Sequence, residues 1–136
     1  MKTLRIIFIL VFLSVCNLNM FSQGKQTDND TTVYIIADKY PVLISDKNTY
    51  EIDKIQDFIT ENLKYPNTGP YCVGSVFISI TIEKDGSVSR KEFVRKLCPD
   101  YDENAMRVVN YMASWKPALK NGKPVRYKIT LPIKWI

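Results

Sequence analysis

The stretch from Cys72 to Cys98, CVGSVFISITIEKDGSVSRKEFVRKLC, narrows what this chain can become more than any other. Val76, Ile78, Ile80 and Ile82 alternate with Ser75, Phe77, Ser79 and Thr81, the period of two that marks a strand buried on one side. Asp85-Gly86 then offers a hairpin turn, because glycine accepts the positive φ that such turns require. A three-residue loop, 84–86, sets Glu83 opposite Ser87, so Ile82 faces Val88, Val76 faces Val94 and Cys72 faces Cys98. A two-residue loop, or a bulge in the weakly alternating second strand, shifts that register. Directly opposed cysteines have the separation a disulfide needs; two buried free thiols are the alternative.

The 136 residues suffice for one domain plus a leader. Lys2 and Arg5 precede an apolar run, Ile6 to Val15, and Ser22-Gln23-Gly24 closes the segment. This is the pattern of a secretory signal over residues 1–24, and it is short for a membrane span, which takes about 20 apolar residues. Export to the periplasm is the expectation. An uncleaved inner-membrane anchor is one alternative; a lipoprotein is another, since Leu13-Ser14-Val15-Cys16 resembles a lipoprotein box with Val15 at a position that favours a small residue. An oxidising compartment permits the Cys72–Cys98 bridge. Without the leader's Lys2 and Arg5, the formal charge of +5 falls to +3, and the basic residues form no dense cluster, so nucleic acid is not an expected partner.

Residues 25–47 read as a linker with a short strand at 33–37 and loop from Asp38 to Lys47. Asn48 and Glu51 suggest a capping box for a helix from Thr49 to Leu63, stopped before Pro66. Asp100 and Glu103 repeat the signal before a helix with Tyr101, Ala105, Val108, Met112 and Trp115 on one stripe. After an Asn121-Gly122 turn, Val125, Tyr127, Ile129, Leu131, Ile133 and Trp135 alternate with polar residues. The economical architecture is an α+β, two-layer fold: a three-stranded antiparallel sheet with two helices on one face, in the order α-β-β-α-β. Pro132 has no N–H and places the last strand at an edge.

The chain has no histidine, which removes Ser-His and Cys-His nucleophile systems and HExxH zinc sites. The two cysteines of the hairpin make neither a CxxC nor a four-cysteine metal site, and no glycine-rich phosphate loop is present. No metal, no cofactor and no enzymatic activity are expected; a carboxylate-pair hydrolase is the remaining catalytic alternative.

Tyr65-Pro66, Gly74-x-Val76, Ile82-Glu83-Lys84-Asp85-Gly86-Ser87-Val88, Asp102-x-x-Ala105-x-Arg107-Val108, Trp115-Lys116-Pro117, Asn121-Gly122-Lys123-Pro124-Val125 and Leu131-Pro132-Ile133 follow one another in order. Together they resemble the TonB C-terminal domain family over residues 48–136, with a looser match at 33–41. The resemblance implies the same fold and an exported module that binds extended segments of TonB-dependent outer-membrane receptors by strand addition, linked to energy-dependent transport. It implies a peptide-binding segment of Val125, Arg126, Tyr127, Lys128, Ile129, Thr130 and Leu131, with Tyr65 and Pro66 near the receptor contact. The alternative is an assembly module whose edge is closed by a second copy, giving a homodimer, or by residues 33–37. The first proline is Pro41, so no proline-rich spacer precedes the domain.

Overall fold

The computed structural model describes residues 31–46, 48–67 and 69–136; the expected leader lies outside them. The hairpin forms as read, with β4 (Gly74–Ile82) and β5 (Val88–Arg95) around the three-residue loop. Glu83 N–H donates to the Ser87 carbonyl at 2.8 Å, and Gly86 N–H to the Glu83 carbonyl at 2.9 Å. Gly86 has φ 86°. Its own carbonyl accepts the Trp115 N–H at 2.9 Å, and a Cβ at this position would lie 1.9 Å from the Trp115 carbonyl oxygen. Both the turn and the close approach of a neighbouring strand therefore require glycine.

The expected register holds at the turn, for Glu83 with Ser87 and Ile82 with Val88, and nowhere further along the paired strands. Thr81 pairs with Arg90, Ile78 with Phe93 and Phe77 with Arg95, so Ser89 and Val94 are extra residues in β5 and Val76 does not face Val94. These are β-bulges, each opposing two residues of β5 to one of β4. Cys72 and Cys98 are nevertheless joined, with Cα atoms 6.6 Å apart. Both lie beyond the paired strands, where coil on either side absorbs the shift. On a chain-entropy basis the bridge contributes about 3 kcal/mol.

The central sheet runs β1 (Val33–Tyr34), β8 (Lys123–Trp135), β4, β5, and β7 (Ala118–Lys120) also pairs with β8. Its antiparallel part, β8-β4-β5, is the three-stranded sheet read from the sequence, with β1 added in parallel and β7 as a hairpin arm. Asn121 and Gly122 turn that arm with φ of 52° and 75°, as a two-residue hairpin loop demands. A second sheet joins β3 (Thr49–Tyr50), β2 (Val42–Ile44) and β6 (Trp115–Lys116), so Asp38 to Lys47 is not all loop.

The first helix starts later than the capping pattern suggests. Pairing with β2 draws Thr49 and Tyr50 into a strand, a 3-10 turn follows at Ile52–Lys54, and α1 covers Ile55–Asn62 without a side-chain cap. Tyr50 stacks edge-on against Phe58 and donates to Glu61 at 2.7 Å, and that carboxylate holds the phenol above its ordinary pKa. The second helix, α2 (Pro99–Tyr111), starts with proline in its first turn. Asp102 accepts the Leu97 N–H at 2.7 Å, which commits this buried carboxylate to closing the helix start.

Both helices cover the apolar face. Phe58 and Ile59 of α1 and Tyr101, Ala105, Val108 and Val109 of α2 share one core with Val76, Ile78, Ile80, Ile82, Leu131, Ile133 and Trp135. Truncating any of the large aliphatic residues to alanine costs about 2–5 kcal/mol.

Candidate functional site

Backbone parity decides what β8 offers. Pro132 has no N–H, and its carbonyl accepts Gln56 Nε2 at 3.1 Å, so its polar backbone groups turn away from β4. Pairing of β8 with β4 runs from Gly74↔Trp135 to Ile82↔Tyr127 with no shift. Odd residues therefore feed the β4 ladder, while Lys128, Thr130, Pro132 and Lys134 direct their N–H and C=O groups outward.

Part of that rim is taken. Val33 lies beside Arg126 and Tyr34 beside Tyr127, in parallel, a register that brings the Tyr34 carbonyl to the Lys128 N–H. Val125 is buried, and by the same parity its backbone groups face the β4 side of the strand, where it pairs with Ala118. At the far end, Tyr65 Oη donates to the Ile136 carbonyl at 3.0 Å, and the Ile136 N–H reaches the same oxygen at 3.4 Å. What is left is the Lys128 carbonyl, both groups of Thr130, and Lys134. Among the described residues no strand pairs with this side of β8 beyond Tyr127.

Side chains set the electrostatics. Residues paired across the sheet share a face, giving the rows Arg90–Thr81–Lys128, Glu92–Ser79–Thr130 and Arg95–Phe77–Pro132 on the side away from the helices. Next to the first row, Arg126 grips Glu83 with two bonds, 2.7 and 3.0 Å, and donates to the Thr31 carbonyl at 3.0 Å. That guanidinium, helped by the Ser89 hydroxyl, holds the Glu83 carboxyl below the usual range. The same fork thus ties the β4–β5 turn to the chain that enters β1. Val33, Thr81, Ser89, Arg90, Arg126 and Lys128 line an open cleft of about 500 Å³ here. Tyr127, packed against Tyr40, is pushed up by burial.

The residues read from the sequence fall into two places. Lys128 and Thr130 form the middle of the rim, and Ile129 and Leu131 between them turn their backbone groups to β4. Tyr65 and Pro66 sit about 20 Å further along the strand, at the Ile136 end. There Tyr65 stacks edge-on against Trp135 at 5.2 Å, and both residues line a cleft of about 720 Å³ with Asp100 and Glu103. Tyr65 thus acts as a packed helix-stop ring and as a cover for the strand end. Sequence reasoning missed Gln56 and Glu83; the parity of Pro132 was the available signal for the first.

Residues 72–136 match the family model described as Gram-negative bacterial TonB protein C-terminal. Over that stretch, just under half of its length, the chain is similar to the TonB C-terminal family. A solved structure similar to it is the NMR solution structure of Helicobacter pylori TonB-CTD (residues 179-285), 25% identical, covering 62% of this chain and 80% of that chain with a TM-score of 0.46. No curated protein matches. No helix among the described residues is long and apolar enough to cross a membrane.

Proposed function

We propose that this TonB C-terminal-like domain is an exported envelope module that takes an extended segment of a TonB-dependent receptor onto the rim of β8, and that this docking serves energy-dependent outer-membrane transport. One observation carries the reading: β8 runs unbulged beside β4 and, by its parity, leaves the Thr130 N–H and C=O facing outward with no strand beside them among the described residues. An incoming strand satisfies such groups directly. Peptides from TonB-dependent receptors should shift the amide signals of Lys128 to Leu131 and leave those of α2 in place. No shift at millimolar peptide contradicts the reading.

A second reading has its own support, because β1 already covers Arg126 and Tyr127. On that reading the fold is an assembly module whose edge is closed by its own chain or by a second copy. A homodimer that disappears in the Thr130→Pro variant, with no response to receptor peptides, favours it.

A further inference from the structure

The rim also carries information about its guest, and this inference rests on the strand-addition reading above. We propose that the strand accepted by β8 is acidic at alternate positions, in the pattern acidic–apolar–acidic–apolar, with the acidic side chains on the face away from the helices.

The argument begins with side-chain alternation. Whether a guest runs parallel or antiparallel to β8, every second side chain falls on each face of the sheet. On the outer face the guest's nearest neighbours are Lys128 and Thr130, because β8 residues of that parity point there. Lys128 is an exposed cation. It lies in a row with Arg90 and next to Arg126 along the strand. The carboxylate at the start of this face, Glu83, is already held in two bonds by Arg126, and Glu92 lies 3.6 Å from Arg90. A guest carboxylate opposite Lys128 therefore meets an ammonium group directly across, while the Arg126 guanidinium stays committed to Glu83 and the Thr31 carbonyl. One opposite Thr130 meets a hydroxyl that can donate and has Lys128 as its own diagonal neighbour. A lysine at either position meets like charge.

The inner face asks for the opposite. Guest side chains there lie beside Ile129 and Leu131, and Leu131 belongs to the main core while Ile129 packs against its margin. Apolar residues at those positions extend the core edge.

The length of the match is set too. Lys128 already has β1 at its N–H side and Pro132 offers no donor, so the pairing window spans about four guest residues, enough for two on each face.

The test uses three eight-residue peptides with the same alternating valines and with glutamate, glutamine or lysine between them. They are titrated into the chain while the Lys128 and Thr130 amide signals are followed. The glutamate peptide is expected to bind roughly 2- to 30-fold more tightly than the glutamine peptide, the range for two opposite-charge cross-strand pairs. The lysine peptide should bind more weakly than either. The advantage should shrink in 0.5 M salt, at which charge interactions are screened over about 4 Å, and it should fall in the Lys128→Gln variant. Equal binding of glutamate and glutamine peptides, with the Thr130 shift intact, overturns the charge preference and leaves strand addition standing. If none of the three moves the Thr130 amide, strand addition itself falls.

Discussion

The two flanks of the main sheet deal with an exposed edge in opposite ways. β5 carries extra residues at Ser89 and Val94, and Val94 points an exposed side chain into solvent. Each bulge breaks the even spacing of N–H and C=O groups that another strand would need. Arg90, Glu92 and Arg95 add charge along the same edge, and Lys91 Nζ ties the strand to Asn110 of α2 at 2.8 Å. β8 is straight over its whole pairing with β4 and is covered by separate pieces: two residues of β1, the Gln56 amide and the Tyr65 hydroxyl. A bulge is built into the chain and cannot be removed by a partner. A cover made of side chains and a two-residue strand can be exchanged for one. On the proposed reading, this difference makes β8 the flank that takes a strand.

Reversing the parity of β8 gives the largest effect. Ile129→Pro removes a donor from the β4 ladder and should cost roughly 2–4 kcal/mol of stability, through a buried acceptor left unpaired and a strained backbone. Thr130→Pro repeats what Pro132 already does and should cost less than about 1 kcal/mol, seen as a small change in thermal midpoint. The same Thr130→Pro substitution should weaken receptor-peptide binding about tenfold, the worth of one good hydrogen bond; calorimetry would measure it. Equal destabilisation by the two prolines would break the parity assignment.

Straightening the other flank is the next test. Deleting Val94 removes one bulge and should change stability by only about 1 kcal/mol, while giving β5 a regular edge that self-associates with concentration in sedimentation runs. A chain that stays monomeric would mean that charge, not the bulge, protects this edge.

The smallest effect concerns the cover on β8. Glu83→Gln loosens the Arg126 fork and should cost about 0.5–1 kcal/mol, with faster amide exchange at Val33 and Tyr34. Acid should do the same. The folded pKa of Glu83 is depressed, so its contribution is complete above the ordinary glutamate range, about 4.3, and is lost as pH falls through the lower folded value. An acid limb of the stability curve that is unchanged in Glu83→Gln would remove this account of the fork.

How far the sequence carried depended on whether burial repeats locally. In β4 and β8 every second residue enters one core, and the pattern can be read residue by residue. The α2 stripe is equally plain from Tyr101 to Val108, but the helix ends at Tyr111, so Met112 caps it and Trp115, read as part of the same stripe, lies in β6. In β5 the bulges at Ser89 and Val94 spoil the alternation, so the arithmetic of the turn placed Val76 opposite Val94 when it is not. The cysteine pair came out right because the coil beyond both strands took up the error. The start of α1 failed for another reason: Tyr50 is held by Leu43 across β2, a contact with no local signature. β1 was read as a strand over 33–37, of which only Val33 and Tyr34 pair, and its partner β8 lies some ninety positions away along the chain. Pro132 marked the last strand as an edge, and this holds only beyond Tyr127, since β1 borders Arg126 and Tyr127. Closure by residues 33–37 was the alternative read from the sequence, while the contacts of Gln56 and Tyr65 were not read.

Amide hydrogen exchange along β8, with and without a receptor peptide, tests the central claim most directly. The account predicts that Thr130 exchanges quickly in the free chain while Ile129 and Leu131 are protected, and that added peptide slows Thr130 while leaving its neighbours unchanged. A Thr130 amide already as protected as Ile129 in the free chain, or one that peptide leaves fast, would contradict it.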